Sequence, residues 1–298
     1  MKRRKTLQEL TIKDNFMFGA VMCDEGRCHR FLEMALGFPI ERVEISKEKC
    51  MVYHPQYKGV RLDVYAKDEN NTHYNVEMQA VLYAALPRRA RYYHSQIDME
   101  LLMSGASYAE LPNSYVIFIC DFDPFERGKY RYTFRNYCEE LTDLSAEDGN
   151  ITIFLSTHGT NEEEVPKELV KFLEYVSADL EESTENFEDD FVKSLQEAVS
   201  SVKRSREMGD RFMLLELMLQ DERREGRAEG RAEGRAEGLE AGRLEGKVEE
   251  IISFLEDLSV VPEELREKIE SEKDLSVLKR WLRLAAKADS IEQFISEM

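Results

Sequence analysis

The sequence predicts an α/β fold, a mixed central sheet flanked by helices, followed by an acidic helical C-terminal extension. Three observations predict it. Between residues 11 and 158, helical and strand patterns alternate in a stretch dense in apolar and aromatic residues. Within it, Val116-Ile117-Phe118-Ile119-Cys120 is a short unbroken apolar run, the pattern of a strand covered on both faces. From about residue 162 onward, apolar residues recur at helical spacing in a strongly acidic background.

The elements follow in order. Leu32 and Leu36 predict a helix over 26–37, stopped by Gly37 and Pro39. Residues 43–80 read as strands, with a turn at Asp68-Glu69-Asn70-Asn71. Pro87 suits a first helical position and Gly105 a C-terminal cap, so a helix is predicted between them. Strands follow over 114–121, 130–137 and 151–155. One domain is therefore expected over 1–160, with an acidic helical connector over 161–221 that exposes residues 181–190. A low-complexity segment over 222–246 repeats Glu-Gly-Arg-Ala from Glu225. Its four-residue period exceeds the helical 3.6, so each residue type forms a drifting stripe. Each interior glycine costs about 0.8–1.0 kcal/mol relative to alanine. The segment reads either as a flexible linker or as a helix that pairs with a second copy, making a homo-oligomer. Residues 247–298 carry helical spacing (Ile251, Phe254, Leu255, Leu258, then Leu278, Trp281, Leu282) and predict a small helical tail.

Composition narrows the function. The 298 residues are 42% apolar, with 15 Phe and 13 Tyr, enough to bury a core. No apolar run approaches the roughly 20 residues that span a bilayer. The basic start, Met1-Lys2-Arg3-Arg4-Lys5, runs into Thr6-Leu7-Gln8-Glu9-Leu10, too polar to continue a signal peptide. No membrane association and a cytoplasmic location are expected. The five cysteines (Cys23, Cys28, Cys50, Cys120, Cys138) contain no Cys-x-x-Cys pair, which speaks against a disulfide framework or structural zinc. The net charge of -19 is unevenly spread. Residues 1–160 carry 20 basic against 23 acidic side chains, and 161–298 carry 21 against 37. The C-terminal half therefore lacks the clustered cations that nonspecific phosphate binding needs.

The chemistry concentrates in Gly59-Val60-Arg61-Leu62-Asp63-Val64-Tyr65-Ala66 and Asn75-Val76-Glu77-Met78-Gln79. Alternate side chains share a strand face, which groups Asp63 with Arg61 and Tyr65, and Glu77 with Gln79. A hairpin turning over Glu69-Asn70-Asn71 sets Asp63 across from Glu77, with an apolar side for the core and a polar side holding both acids. Two close carboxylates repel unless a cation sits between them. Mg²⁺ suits the pair, since it takes one or two carboxylates and keeps several waters. An ordinary amphipathic hairpin with solvated acids has the same pattern.

Asp63, a turn and then Glu77-Met78-Gln79 resemble the PD-(D/E)XK nuclease motif in its Glu-x-Gln form. The wider pattern is similar to the Rpn family of recombination-promoting nucleases and transposases. It includes Asp14-Asn15-Phe16-Met17-Phe18, the Gly59–Tyr65 stretch, the segment 88–96 with Tyr92-Tyr93, and Asp123-Pro124-Phe125. The resemblance covers residues 11–160 and implies Mg²⁺-dependent DNA endonuclease activity in recombination or mobile-element transposition. It implies that Asp63 and Glu77 bind the metal with the Met78 backbone carbonyl, and that Asp63, Glu77 and Gln79 form the catalytic set. Gln79 stands where the motif has lysine, and an amide is neither base nor cation. A cation from the next helix could compensate. Arg88, Arg91, Tyr92, Ser95 and Gln96 fall near one helical face, so Arg88 and Arg91 are expected on phosphates, with Tyr92 and Gln96 beside DNA. Tyr92 and Tyr93 could stack on bases, with core packing expected for at least one.

Other residues draw simpler readings. Asp14 either supports the site or caps the first helix. His54, His73 and His94 lack ligand spacing and read as turn or surface histidines. Asp121 and Asp123 fit a turn before Pro124. The alternative to an enzyme is a catalytically inert nucleic-acid-binding or assembly protein that retains the fold, favoured by Gln79 and the acidic charge.

Overall fold

The computed structural model describes residues 5–46, 50–51 and 60–298. His54 and Gly59 lie outside the described residues. Two compact units are present, Met1–Met213 and Leu214–Met298.

In the first unit, α1 (Asn15–Met22) and α2 (Glu25–Leu36) precede β1 (Val43–Ser46). Asp24 caps α2 by accepting from the Arg27 N–H at 3.0 Å, and Gly37 ends it with φ 83°, in the left-handed region that glycine enters without a Cβ clash. A short antiparallel pair, β2 (Cys50–Met51) and β3 (Val60–Arg61), stands apart from the main sheet. The hairpin β4 (Val64–Asp68) and β5 (His73–Gln79) follows, turning through Asn71 at φ 60°. Then come α3 (Leu86–Leu101), β6 (Ser114–Cys120), β7 (Arg131–Phe134) and β8 (Asn150–Ser156). The chain closes with α4 (Lys167–Ser177), α5 (Asp190–Arg204) and the start of α6 (Arg206–Glu256).

The six-stranded sheet has the order β1-β4-β5-β6-β8-β7. Its centre, β5-β6-β8, is parallel, and both edges are antiparallel. Every residue of β6 is buried, and the strand's alternation divides two cores. Tyr115, Ile117 and Ile119 face the core built with α1, α2, α4 and α5. Val116, Phe118 and Cys120 face a second core under α3, with Leu86, Ala90, Tyr93 and Ile97. A parallel centre sheathed on both faces is what the unbroken apolar run anticipates.

Three expectations change. The α3 helix ends at Leu101, and Gly105 (φ 89°) serves the turn beyond it. The acidic segment after 160 does not stand apart: Leu169, Phe172, Leu173, Val176, Phe191 and Leu195 lie in the first core, and Phe16 meets Phe212 of α6 with ring centroids 5.1 Å apart. Each such buried side chain contributes about 1.5–3 kcal/mol, so apolar spacing outweighs the acids on the solvent face. Nor are His73 and His94 surface groups. His73 is buried on β5, its Nδ1 2.7 Å from the Tyr65 hydroxyl, and His94 is buried on α3 between Ser114 (2.7 Å) and Thr152 (3.0 Å).

The second unit takes up the rest of α6, then α7 (Glu263–Ser271), α8 (Leu275–Ala285) and α9 (Ile291–Glu297). Ile251, Leu255, Ile269, Leu278, Trp281 and Phe294 form its core. The repeat is helical within α6. A Cβ added at Gly226, Gly230, Gly234, Gly238, Gly242 or Gly246 would meet nothing within 4 Å. No helix among the described residues is long and apolar enough to cross a membrane. Cys23, Cys28, Cys120 and Cys138 are free thiols.

Candidate active site

The hairpin register brings the two predicted acids together. Val64 pairs with Val76, and Asp63 lies one residue further out, facing Glu77. Strand geometry does not continue through Asp63 as expected. The residue sits at a bend between β3 and β4, so Leu62 joins the α3-side core while Val64 joins the opposite one. The bend lets backbone and carboxylate interlock. The Asp63 N–H donates to Glu77 Oε1 at 3.3 Å, and the Met78 N–H donates to Asp63 Oδ2 at 3.1 Å. The Asn15 amide, at the start of α1, donates to the same Oδ2 at 3.2 Å.

Glu77 is 1% exposed. The acid-bearing face is therefore roofed by α3, contrary to the open polar side read from alternation, because Leu86, Ala90, Tyr93 and Ile97 bring that helix down on the sheet. Arg89 of α3 answers the buried charge. Its Nη2 donates to Glu77 Oε2 at 2.7 Å, and the Tyr93 hydroxyl donates to the same oxygen at 3.2 Å. Burial, and then the Asp63 charge, push the Glu77 carboxyl up to about 8, against the opposing pull of Arg89.

Gln79 ends β5. Its Oε1 accepts from Arg89 Nη1 at 3.0 Å and its Nε2 donates to the Val81 carbonyl at 2.5 Å, which fixes the orientation of the amide. The loop that follows exposes Val81, Leu82 and Tyr83.

The expected helical contacts divide. Arg88, Arg91 and Ser95 are exposed on α3, Tyr92 is half-buried against the second core, and Gln96 is buried inside the fold at 7% exposure. Tyr93 packs on Phe118 with centroids 6.1 Å apart. Arg89, not Arg88 or Arg91, reaches the acids. The spacing of Leu86, Ala90, Tyr93 and Ile97 carries that signal, since Arg89 flanks the stripe and stands one helical turn before Tyr93. The signal for Asn15 was its place in the Asp14-Asn15-Phe16-Met17-Phe18 segment of the resemblance, which assigned it no role. Asp14 occupies the N-cap position of α1, but its carboxylate turns to the Thr11 N–H and Lys5, both at 2.8 Å. Asp121 pairs with Lys13 at 3.0 Å. Asp123 accepts from the Phe125 and Gly128 N–H groups and the Tyr132 hydroxyl, which orders the turn at Pro124.

No cluster of three or more His, Cys, Asp or Glu side chains among the described residues is placed to hold a metal. A two-carboxylate site is smaller than that. Asp63 and Glu77 are interlocked through the Asp63 N–H on Glu77 Oε1, and the N–H and C=O of a strand residue leave from the same edge, so the Met78 carbonyl faces the Asp63 side with its N–H. Asn75, on the Glu77 face of β5, is fully buried, and its side-chain amide favours the charged form of Glu77. This donor set fits a small hard cation that keeps several waters.

A family model described as PD-(D/E)XK nuclease family transposase matches residues 16–228. No curated protein and no solved structure shows a significant match to the chain. The match spans most of the chain and contains the whole mixed sheet, the Asp63–Glu77 hairpin and α3. On that extent, the chain belongs to the PD-(D/E)XK nuclease family of transposases.

Proposed function

We propose that this protein is a divalent-metal-dependent DNA endonuclease that hydrolyses phosphodiester bonds in recombination or transposition, with Asp63, Glu77 and Gln79 as its catalytic set. Family membership supports nuclease or transposase chemistry. The observation that carries the finer reading is the buried Glu77 carboxylate held against Asp63, an arrangement whose charge conflict a cation would relieve. Asp63, Glu77 and the Met78 carbonyl would hold Mg²⁺ or a similar ion. Such an ion supplies Lewis acidity, lowering the pKa of a water and offsetting charge on the phosphate.

The chain's own groups prepare that centre. Asn15 and the Met78 N–H orient Asp63. The Asp63 N–H orients Glu77, while Arg89 and Tyr93 hold its other oxygen. Gln79 takes no proton and serves as an oriented dipole. The exposed Arg88 and Arg91 are available to backbone phosphates, and Tyr92 borders the same face. Gln96 remains a DNA contact only if α3 shifts, given its burial. The exposed repeat of α6 is where two copies would pair.

Purified protein should nick supercoiled plasmid in Mg²⁺ and not in EDTA, and Glu77→Ala should abolish nicking. Equal cleavage by Glu77→Ala would remove the site assignment. A second reading is an inert binder that retains the fold, favoured by the Arg89 guanidinium already bound to Glu77. No cleavage by wild type across several divalent ions, with DNA still bound, would favour it.

A further inference from the structure

Hydrolysis of a phosphodiester builds negative charge on the phosphate oxygens, and position 79 offers a neutral amide where positive charge would help. The cation that reaches this position comes from the helix. Arg89 Nη1 donates to Gln79 Oε1 at 3.0 Å, Nη2 to Glu77 Oε2 at 2.7 Å, and Nε to the Tyr93 hydroxyl at 2.6 Å. Its Cζ lies 5.0 Å from the Tyr93 ring centroid and 5.5 Å from that of Phe118. The planar group is thus fixed by stacking and by hydrogen bonds on three sides, and part of its donor fork stays unused. The side chain is 32% exposed, so the guanidinium stands at the boundary between the second core and solvent.

A counterion for Glu77 would need only the Nη2 contact. The grip on Gln79 and Tyr93 does something more, because it holds the guanidinium in place when a metal ion competes for Glu77. We propose that Arg89 is a catalytic residue of this centre, supplying through its guanidinium, at a scissile-phosphate oxygen, the positive charge that Gln79 lacks. This rests on the nuclease reading above and adds to it the group that stabilises the phosphate.

The test uses full-length protein, metal-dependent plasmid cleavage, and four variants: Glu77→Ala, Arg89→Met, Arg89→Lys, and Arg89→Met combined with Gln79→Lys. Arg89→Met should lower kcat by about 100-fold or more, with KM changed by no more than about threefold. Returning an ammonium at position 79 should recover about tenfold or more of that kcat. A restored structural counterion would recover melting temperature in step with kcat, whereas a phosphate-stabilising charge recovers kcat in variants whose melting temperatures stay level. If Arg89→Met does not fold, Arg89→Lys carries the test. It keeps the charge, loses the planar fork, and should lose about tenfold in kcat. An inactive Glu77→Ala beside an Arg89→Met within about threefold of wild type overturns this inference alone, as does a folded double variant with no rescue. A Glu77→Ala that cleaves like wild type overturns the nuclease site, and this inference with it.

Discussion

Glu77→Gln should make the first unit more stable at alkaline pH while removing activity. The carboxyl is 1% exposed and pushed from 4.5 up to about 8. A raised folded-state pKa means that the folded protein holds the proton more tightly than the unfolded chain does. Below about pH 4.5 both states are protonated and the native state bears no penalty. Between 4.5 and 8 the unfolded chain ionises first, so stability drains away as pH rises, and the loss is complete above about 8. At about 1.4 kcal/mol per pH unit the full shift corresponds to about 5 kcal/mol. Relaxation around the Glu77–Arg89 pair lowers this, and we expect about 2–5 kcal/mol in favour of the glutamine variant at pH 9. That is about 5–15 °C in melting temperature for a unit of this size.

The tyrosines and the tryptophan separate the signals. All 13 tyrosines precede residue 176 and the single tryptophan is Trp281. Near-UV circular dichroism of tyrosine therefore follows the first unit, and Trp281 fluorescence follows the second. Melts are recorded in EDTA from pH 5 to 9 for wild type and Glu77→Gln. The tyrosine transitions should diverge as pH rises while the tryptophan transitions coincide. A constant gap between the tyrosine transitions, or a glutamine variant less stable than wild type at pH 9, would refute the idea that Glu77 is a charge held at a cost.

Other substitutions probe the frame around the site. Gly159→Ala puts a Cβ within 2.3–2.6 Å of the buried Tyr130 ring and should cost at least about 2 kcal/mol in urea unfolding. Asn15→Ala frees one side of Asp63 and should lower kcat/KM about tenfold or more, with DNA affinity in EDTA unchanged by anisotropy. Burial holds the His94 imidazole down at about 4, so its stabilising contribution is full above pH 6.5 and is lost as pH falls through about 4. His94→Leu should cost about 1–3 kcal/mol at pH 7 and flatten the acid limb of the stability profile. A chain ending at Met213 should keep the tyrosine dichroism of the first unit, and light scattering should show fewer chains per particle if α6 pairs two copies.

The parts of the fold that were legible in the sequence are those where one short-range rule decides. The run from Val116 to Cys120 needs two covered faces, and Gly37 needs a left-handed cap, so both are readable locally. The pairing of Asp63 with Glu77 is readable too, because a hairpin's turn fixes its register. What was missed depends on packing between distant segments. Alternation along β5 marks Glu77 as sharing a polar face, and nothing local reveals that α3 will roof it. The reach of Arg89 to Glu77 was hidden by the same gap, since the inner face of α3 is set by what Leu86 and Tyr93 meet on β6. Helical spacing made α4 and α5 readable, but their acidic composition hid that their apolar stripes close the first core.

The break between β3 and β4 gives Asp63 two duties, which affects how its variants should be read. With β4 starting at Val64, no strand among the described residues pairs β5 on that side beyond Val76, and the Met78 N–H turns to the Asp63 carboxylate instead of a backbone carbonyl. A buried backbone donor without a partner costs about 1–3 kcal/mol. Asp63→Ala would therefore weaken the fold as well as the centre, and loss of cleavage in that variant would not separate the two. Asp63→Asn removes the charge and keeps one acceptor oxygen for the Met78 N–H. If the centre works as proposed, the neutral variants at 63 and 77 should both relieve the repulsion between the acids, rise in stability at alkaline pH, and lose metal-dependent cleavage. Higher stability together with lower activity is the signature of residues kept for function at the expense of the fold.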